Sequence, residues 1–155
     1  ATLPLIGIAT AVVSVTGAAY GAQDYKKLNI SYMHAIKIGI IIEAVIALFV
    51  FFFAPTITVL FTLAETSAHL ASDIIIFLRI ACIFFPGIAF GMLSSSMFQG
   101  TGHGMNALIV TIFRSIILTL PFAWLLSITL DMGLPGAWWG LVAANLIGSA
   151  AAFIW

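Results

Sequence analysis

Charge is what this sequence has least of. Of 155 residues, five are Lys or Arg and five are Asp or Glu, 6% in all with no net charge, against about 25% in soluble domains. A water-exposed fold needs a charged shell that ten side chains cannot supply. With no basic surplus there is no patch to hold nucleic acid. Cysteine is almost missing, and Cys82 alone excludes an internal disulfide framework or a cysteine-based metal cluster. The period-two alternation of barrel strands, about ten residues per pass, is missing too. No charged stretch precedes the first apolar run, so no signal peptide is visible. The chain starts inside an apolar segment at Ala1 and reads as a piece of something larger.

What is present is apolar: 63% of the residues are hydrophobic and the mean hydropathy is +1.25. At roughly 20 residues per bilayer-spanning helix, the runs divide into five spans near 1–20, 35–53, 70–98, 105–130 and 136–155. The expected architecture is an all-α polytopic bundle, one transmembrane domain over residues 1–155. Between the spans fall the polar stretch 21–34, Pro55 with the segment 62–69, the glycine-rich run 99–106, and the turn 131–136. Lys26, Lys27 and Lys37 flank the first of these loops, whereas the second holds Glu65 and Asp73 and the last only Asp131. The excess of cations places loop 21–34 on the cytoplasmic side of a cell (inner or plasma) membrane.

Three ionisable residues fall within the spans. Glu43, Arg79 and Arg114 each lie roughly 12–14 Å from a span end, near the middle of a 30 Å hydrocarbon core. Such groups cost about 2.5–3.5 kcal/mol on insertion scales and mark pathways by default. A Glu43–Arg79 or Glu43–Arg114 ion pair fits these depths, either as a structural clamp or as the lining of a substrate or ion pathway. Each arginine precedes a proline by seven residues, Pro86 and Pro121. Seven residues is close to two helical turns, so each pair is expected on one face of a bent helix. The bends free the carbonyls of Cys82 and Ile117.

Other features point to packing. Gly17 with Gly21, Gly87 with Gly91, and Gly136 with Gly140 form GxxxG spacings that let helices approach. The GTGHG run at 100–104 lacks the preceding strand and following Lys-Ser/Thr of a phosphate loop. His34, His69 and His103 stand at span ends on both sides and do not converge as metal ligands. Ser94, Ser95 and Ser96 have no intramembrane histidine to activate them. Neither a catalytic site nor a metal site is expected, and the chain is not expected to be an enzyme.

The stretch 17–39 (GAAYGAQDYKKLNISYMHAIKIG), the stretch 84–107 (FFPGIAFGMLSSSMFQGTGHGMNA), and RSIILTLPFAWLL at 114–126 with GLPGAWWG at 133–140 together resemble the multidrug and toxic compound extrusion (MATE) transporters. These motifs follow the family's order over nearly the whole chain. The wider group is the multidrug/oligosaccharidyl-lipid/polysaccharide exporter superfamily. The resemblance implies five of the six helices of one lobe in a two-lobed, twelve-helix transporter, with the second lobe preferred. It further implies a secondary antiporter that exports amphipathic, cationic organic compounds in exchange for H⁺ or Na⁺. The partners so implied are small organic substrates, the lipid bilayer and the other lobe, with no cofactor beyond the coupling ion. The chain departs from the family where sodium-coupled members carry an acidic residue in the fourth helix of the second lobe, because the matching position here is Ile88. Ion coupling through this chain then rests on Glu43, with Arg79 and Arg114 holding charge and register and Pro86 and Pro121 permitting bends. Two alternatives stay open: a lipid-linked oligosaccharide flippase of the same superfamily, and a non-transporting membrane scaffold.

Overall fold

The computed structural model describes residues 2–61, 71–129, 131 and 133–155; Glu65 and His69 lie outside them. The described chain is helical, with five segments long and apolar enough to cross a membrane. They are α1 (Leu3–Gly21), α2 (Tyr25–Phe61), α3 (Ala71–Gly100), a fourth rod, and α6 (Gly133–Ile154). The fourth rod is composite: α4 (Gly104–Ile112), a π turn over Phe113–Leu118, α5 (Thr119–Trp124) and a second π turn over Leu125–Thr129.

Two helix boundaries differ from the sequence expectation. The polar stretch 21–34 is a turn of three residues, because α2 begins at Tyr25. Asp24 caps it, accepting the Lys27 backbone N–H at 3.0 Å. Nor does Pro55 end the helix, since α2 runs on to Phe61. A proline removes one backbone donor, and neighbouring helices make this tolerable inside a membrane. At 37 residues α2 is roughly 55 Å long, well over the 30 Å thickness of a hydrocarbon core.

The two turns on the lysine side share one geometry. After α1, Asp24 N–H reaches back to Ala19 O at 2.9 Å with Gln23 at φ 57°. After α3, His103 N–H reaches Phe98 O at 2.8 Å with Gly102 at φ 81°. Both use a left-handed residue to satisfy the last helical carbonyls.

α3 is the central helix, packed against α1, α2, α4 and α6, and α6 in turn holds α5 and the π turns. One core forms where α1, α2 and α3 meet, from Leu5, Ala9, Val12, Tyr32, Ile36, Ala89 and Leu93. A second joins α3, α4 and α6 through Phe98, Ala107, Val110 and Ala152. Small residues set the spacing. A Cβ on Gly17 would lie 2.9 Å from Gly100 O, and one on Gly140 would lie 2.6 Å from the Ala123 Cα. The outer faces are apolar, with Val45, Phe52, Ile117 and Leu120 exposed, as a lipid-facing surface requires.

Candidate functional site

The buried stripe of α2 runs through Tyr32, Ile36, Gly39, Glu43, Ala47 and Ala54, positions three, four or seven apart and so on one face. Glu43 is 0% exposed, and neither carboxyl oxygen has a hydrogen-bond partner among the described residues. One turn away, a Cβ on Gly39 would meet Leu93 Cδ1 at 3.0 Å, Leu5 Cδ1 at 3.1 Å and Ala89 Cβ at 3.4 Å. At Gly39 this face of α2 packs on aliphatic side chains of α1 and α3.

The structure brings neither arginine to this carboxyl, which corrects the expected ion pair. Arg79 is exposed on α3, and its guanidinium carbon stands over the Phe51 ring, 5.4 Å from the centroid. Arg114 turns the other way. Its stem passes Gly148, where a Cβ would lie 2.6 Å from Arg114 Cγ. Its guanidinium occupies the space beside Gly91, where a Cβ would collide with Nη1. There Nη1 donates to Ser149 Oγ over a long 3.5 Å, and Nε is buried without a partner. Arg114 therefore fills a notch between α3 and α6.

The prolines are also placed differently. Pro86 sits within a helix that continues as α3 to Gly100. Pro121 lies between two π turns, and a π turn accommodates the ring beside the carbonyl four residues back. The widened turn over Phe113–Leu118 breaks the two-turn register with Arg114. As a result Pro121 is exposed while Arg114 is half-buried.

A buried polar contact that sequence spacing did not reveal ties α2 to α3. The Tyr32 and Ser94 hydroxyls are 2.7 Å apart, and Ser94 Oγ also donates to Phe90 O at 2.6 Å. Phe153 stacks on Tyr32 at 6.2 Å and meets Phe90 edge-on at 5.3 Å. At the lysine-bearing end, Tyr20 contacts Tyr25 and His103 at 6.1 and 6.0 Å, and Phe98 contacts Trp155 at 5.6 Å. Such a ring of aromatic groups marks a membrane–water interface. His34 Nδ1 donates to Ile30 O at 2.8 Å. Among the described residues, no three His, Cys, Asp or Glu are grouped to hold a metal.

Two apolar clefts open on the bundle surface. One of about 460 Å³ lies between α1 and α2, lined by Ile8, Ala11 and Val15 with Ser31 and His34 at its polar edge. The other, about 350 Å³, lies between α3 and α6 and is bounded by Pro86, Phe90, Ser149 and Phe153. Both fall within the size range of small-molecule sites.

This architecture defines a polytopic membrane protein with small-residue helix packing, a fourth rod interrupted by π turns, and an intramembrane acid with no hydrogen-bond partner among the described residues. The sequence profile described as MatE matches residues 1–125, and the chain belongs to that family, whose members are transporters. It is similar to an inward-facing multidrug resistance MATE family transporter of the MOP superfamily, at 40% identity and a TM-score of 0.97, over 99% of this chain and 35% of that one. An outward-facing MATE transporter matches at 40% identity and a TM-score of 0.96, over 99% of this chain and 34% of that one. So does a MOP superfamily transporter from Pyrococcus furiosus Vc1 (DSM3638), whose binding pocket is described as of reverse polarity, with the same identity, TM-score and coverage. The chain spans about a third of the length of these structures. A search of curated proteins returns no match.

Proposed function

We propose that the chain supplies five of the six helices of one lobe of a secondary antiporter that exports amphipathic, cationic organic compounds in exchange for H⁺ or Na⁺. The observation that carries this reading is the pair of matches to inward-facing and outward-facing multidrug transporters, at TM-scores of 0.97 and 0.96. One internal arrangement of this lobe fits both states almost equally well. That supports alternating access by rocking of a nearly rigid lobe against the rest of the transporter, not by repacking of its helices. The two apolar clefts offer surfaces for the hydrocarbon part of a substrate.

Glu43 is then the ion-pathway group, Arg114 fixes the packing of α3 against α6, and Arg79 anchors α3 beside α2. Pro86 and Pro121 supply local bending. Loop 21–34, with Lys26 and Lys27, faces the cytoplasm of a cell membrane, and the aromatic ring around Tyr20 and Trp155 supports that side as an interface. A flippase for lipid-linked oligosaccharides would want guanidinium groups in its cavity for a pyrophosphate. Arg79 on the outer face and Arg114 in its notch weigh against that reading.

The test is efflux of a fluorescent organic cation by the full-length transporter in proteoliposomes, under an imposed H⁺ or Na⁺ gradient. Export driven by either gradient is expected. No export under either, from folded protein, would overturn the antiporter reading in favour of lipid flipping or a scaffold.

A further inference from the structure

We infer that the lysine-bearing end of this helix bundle carries an aromatic cage for an organic ammonium group, built from Tyr20, Tyr25, Phe98, His103 and Trp155. The two turns at that end create it. Each reverses the chain through a left-handed residue, Gln23 at φ 57° and Gly102 at φ 81°. The first carries Tyr25 back beside Tyr20, with ring centroids 6.1 Å apart and planes 77° apart. The second sets His103 beside the same Tyr20, at 6.0 Å and 83°. Trp155 closes on Phe98 at 5.6 Å.

All five side chains line one pocket of about 290 Å³, together with Met97, Thr101 and Asn106. That volume lies at the small end of small-molecule sites and suits a headgroup-sized ion better than a whole drug molecule. An interfacial belt needs each ring only at the right depth. Here rings from separate segments converge on one hollow, two of them nearly perpendicular to a third. The negative face of a π system attracts a cation within about 6 Å of its centroid, and alkylated ammonium groups are what such cages select. Rings this close let one ion reach several faces at once. His103 is held in place, because Nδ1 lies 3.3 Å from Thr101 Oγ1, which itself donates to Met97 O at 3.0 Å.

Two lysines stand near this end and would repel a cation. On α2, however, Lys26 and Lys27 lie about 100° and 200° round from Tyr25, whereas Leu28 shares the pocket face with it. Their field is screened over about 8 Å at physiological salt, and Asp24, which caps α2, offsets one of them. A methylated ammonium also gains apolar contact with Met97 and Phe98 that a metal ion cannot make. Two sources carry this chemistry at a membrane surface: a choline-type lipid headgroup and a dissolved organic cation.

The test uses the full-length transporter in nanodiscs with isotope-labelled methionine methyl groups, the Met97 resonance being identified by its loss in Met97→Leu. Choline is titrated alongside dimethylbutanol, its uncharged carbon isostere. In phosphatidylglycerol nanodiscs choline is expected to move the Met97 methyl saturably, and the alcohol to leave it in place. Tyr20→Leu should weaken the choline midpoint about tenfold, and Tyr20→Phe by less than about threefold, because the phenyl face remains. An equal response to both probes, no response to choline or to phosphatidylcholine, or an unchanged midpoint in Tyr20→Leu would each overturn the cage. Phosphatidylcholine nanodiscs name the source. A Met97 resonance already at its bound position there assigns the cage to the lipid headgroup, and one that still titrates with choline assigns it to dissolved cations. None of these readouts depends on export, so a transporter that moves no organic cation would overturn the antiporter reading and leave the cage decided on its own.

Discussion

Arg114 enters a gap that small residues keep open, whereas Glu43 is buried with no hydrogen-bond partner among the described residues. Gly148 makes room for the arginine stem, Gly91 for its guanidinium, and Ser149 meets Nη1. Glu43 is fully buried, and its two oxygens have no hydrogen-bond partner among the described residues. The two residues looked equivalent as intramembrane charges at similar depth, and their surroundings separate them. A charge whose site is built by packing has a structural role, because its long apolar stem covers surface between helices. A buried acid with no partner stores a desolvation cost that a change of protonation or shape can release.

The largest effect should come from filling the arginine notch. Gly148→Leu would drive a side chain into Arg114 and its backbone, since even a Cβ lies 3.2 Å from Arg114 Cα. A loss of about 3 kcal/mol is expected from such overpacking, read as a lower Tm of the detergent-solubilised transporter. Adding Arg114→Ala should restore part of that loss if the two positions share one space, which a double-mutant cycle measures. Strict additivity would dissolve the notch.

Next in size is truncation of the arginine alone. Arg114→Ala empties the notch and should cost about 2 kcal/mol. Arg114→Met refills it with an unbranched apolar chain and should stay within about 1 kcal/mol of wild type. Equal damage from both would mean that the positive charge, not the stem, is required. Glu43→Gln sharpens the contrast from the other side, because it keeps the side chain's shape and breaks no hydrogen bond described for the carboxyl, so it should also remain within about 1 kcal/mol. A loss of several kcal/mol there would reveal a partner that depends on the carboxylate.

How far these differences could be read from sequence depends on what each residue's neighbours are. The spans were legible because twenty-residue apolar runs have one stable form in lipid, and the ordered motifs around Pro86 and the turn at Gly102 carried the family resemblance. The extent of α2 was not legible. Tyr25 to His34 looks like a polar loop, yet it is the start of a helix that runs on through Pro55. The Glu43–arginine pairing failed because depth along a helix was known and azimuth was not. The π turn at Phe113–Leu118 rotates Arg114 toward α6, and α3 turns Arg79 outward. Gly91 and Gly148 were the available signal for the notch, but they lie 57 positions apart in sequence, and only the fold makes them neighbours. The Tyr32–Ser94 bond was hidden for the same reason.

That bond gives a smaller effect. Tyr32→Phe keeps the stacking on Phe153 and removes one hydroxyl, while Ser94 retains Phe90 O. The expected loss is about 1 kcal/mol, again by thermal unfolding. A much larger loss would show that the contact organises the junction of α2, α3 and α6.

Arg79 should matter least to stability. Its guanidinium is exposed and its only described contact is the face of Phe51 at 5.4 Å, an arrangement worth about 0.5–1 kcal/mol at an exposed site. Arg79→Gln is therefore expected to shift Tm by less than either Arg114→Ala or Tyr32→Phe, and Phe51→Leu should produce a loss of the same size, with little further loss in the double variant. The same substitutions test the comparison between the arginines. If Arg79→Gln leaves Tm unchanged but abolishes export, then Arg79 contacts substrate or the other lobe in the complete transporter. The outward arginine would then be the functional one and the enclosed arginine the structural one.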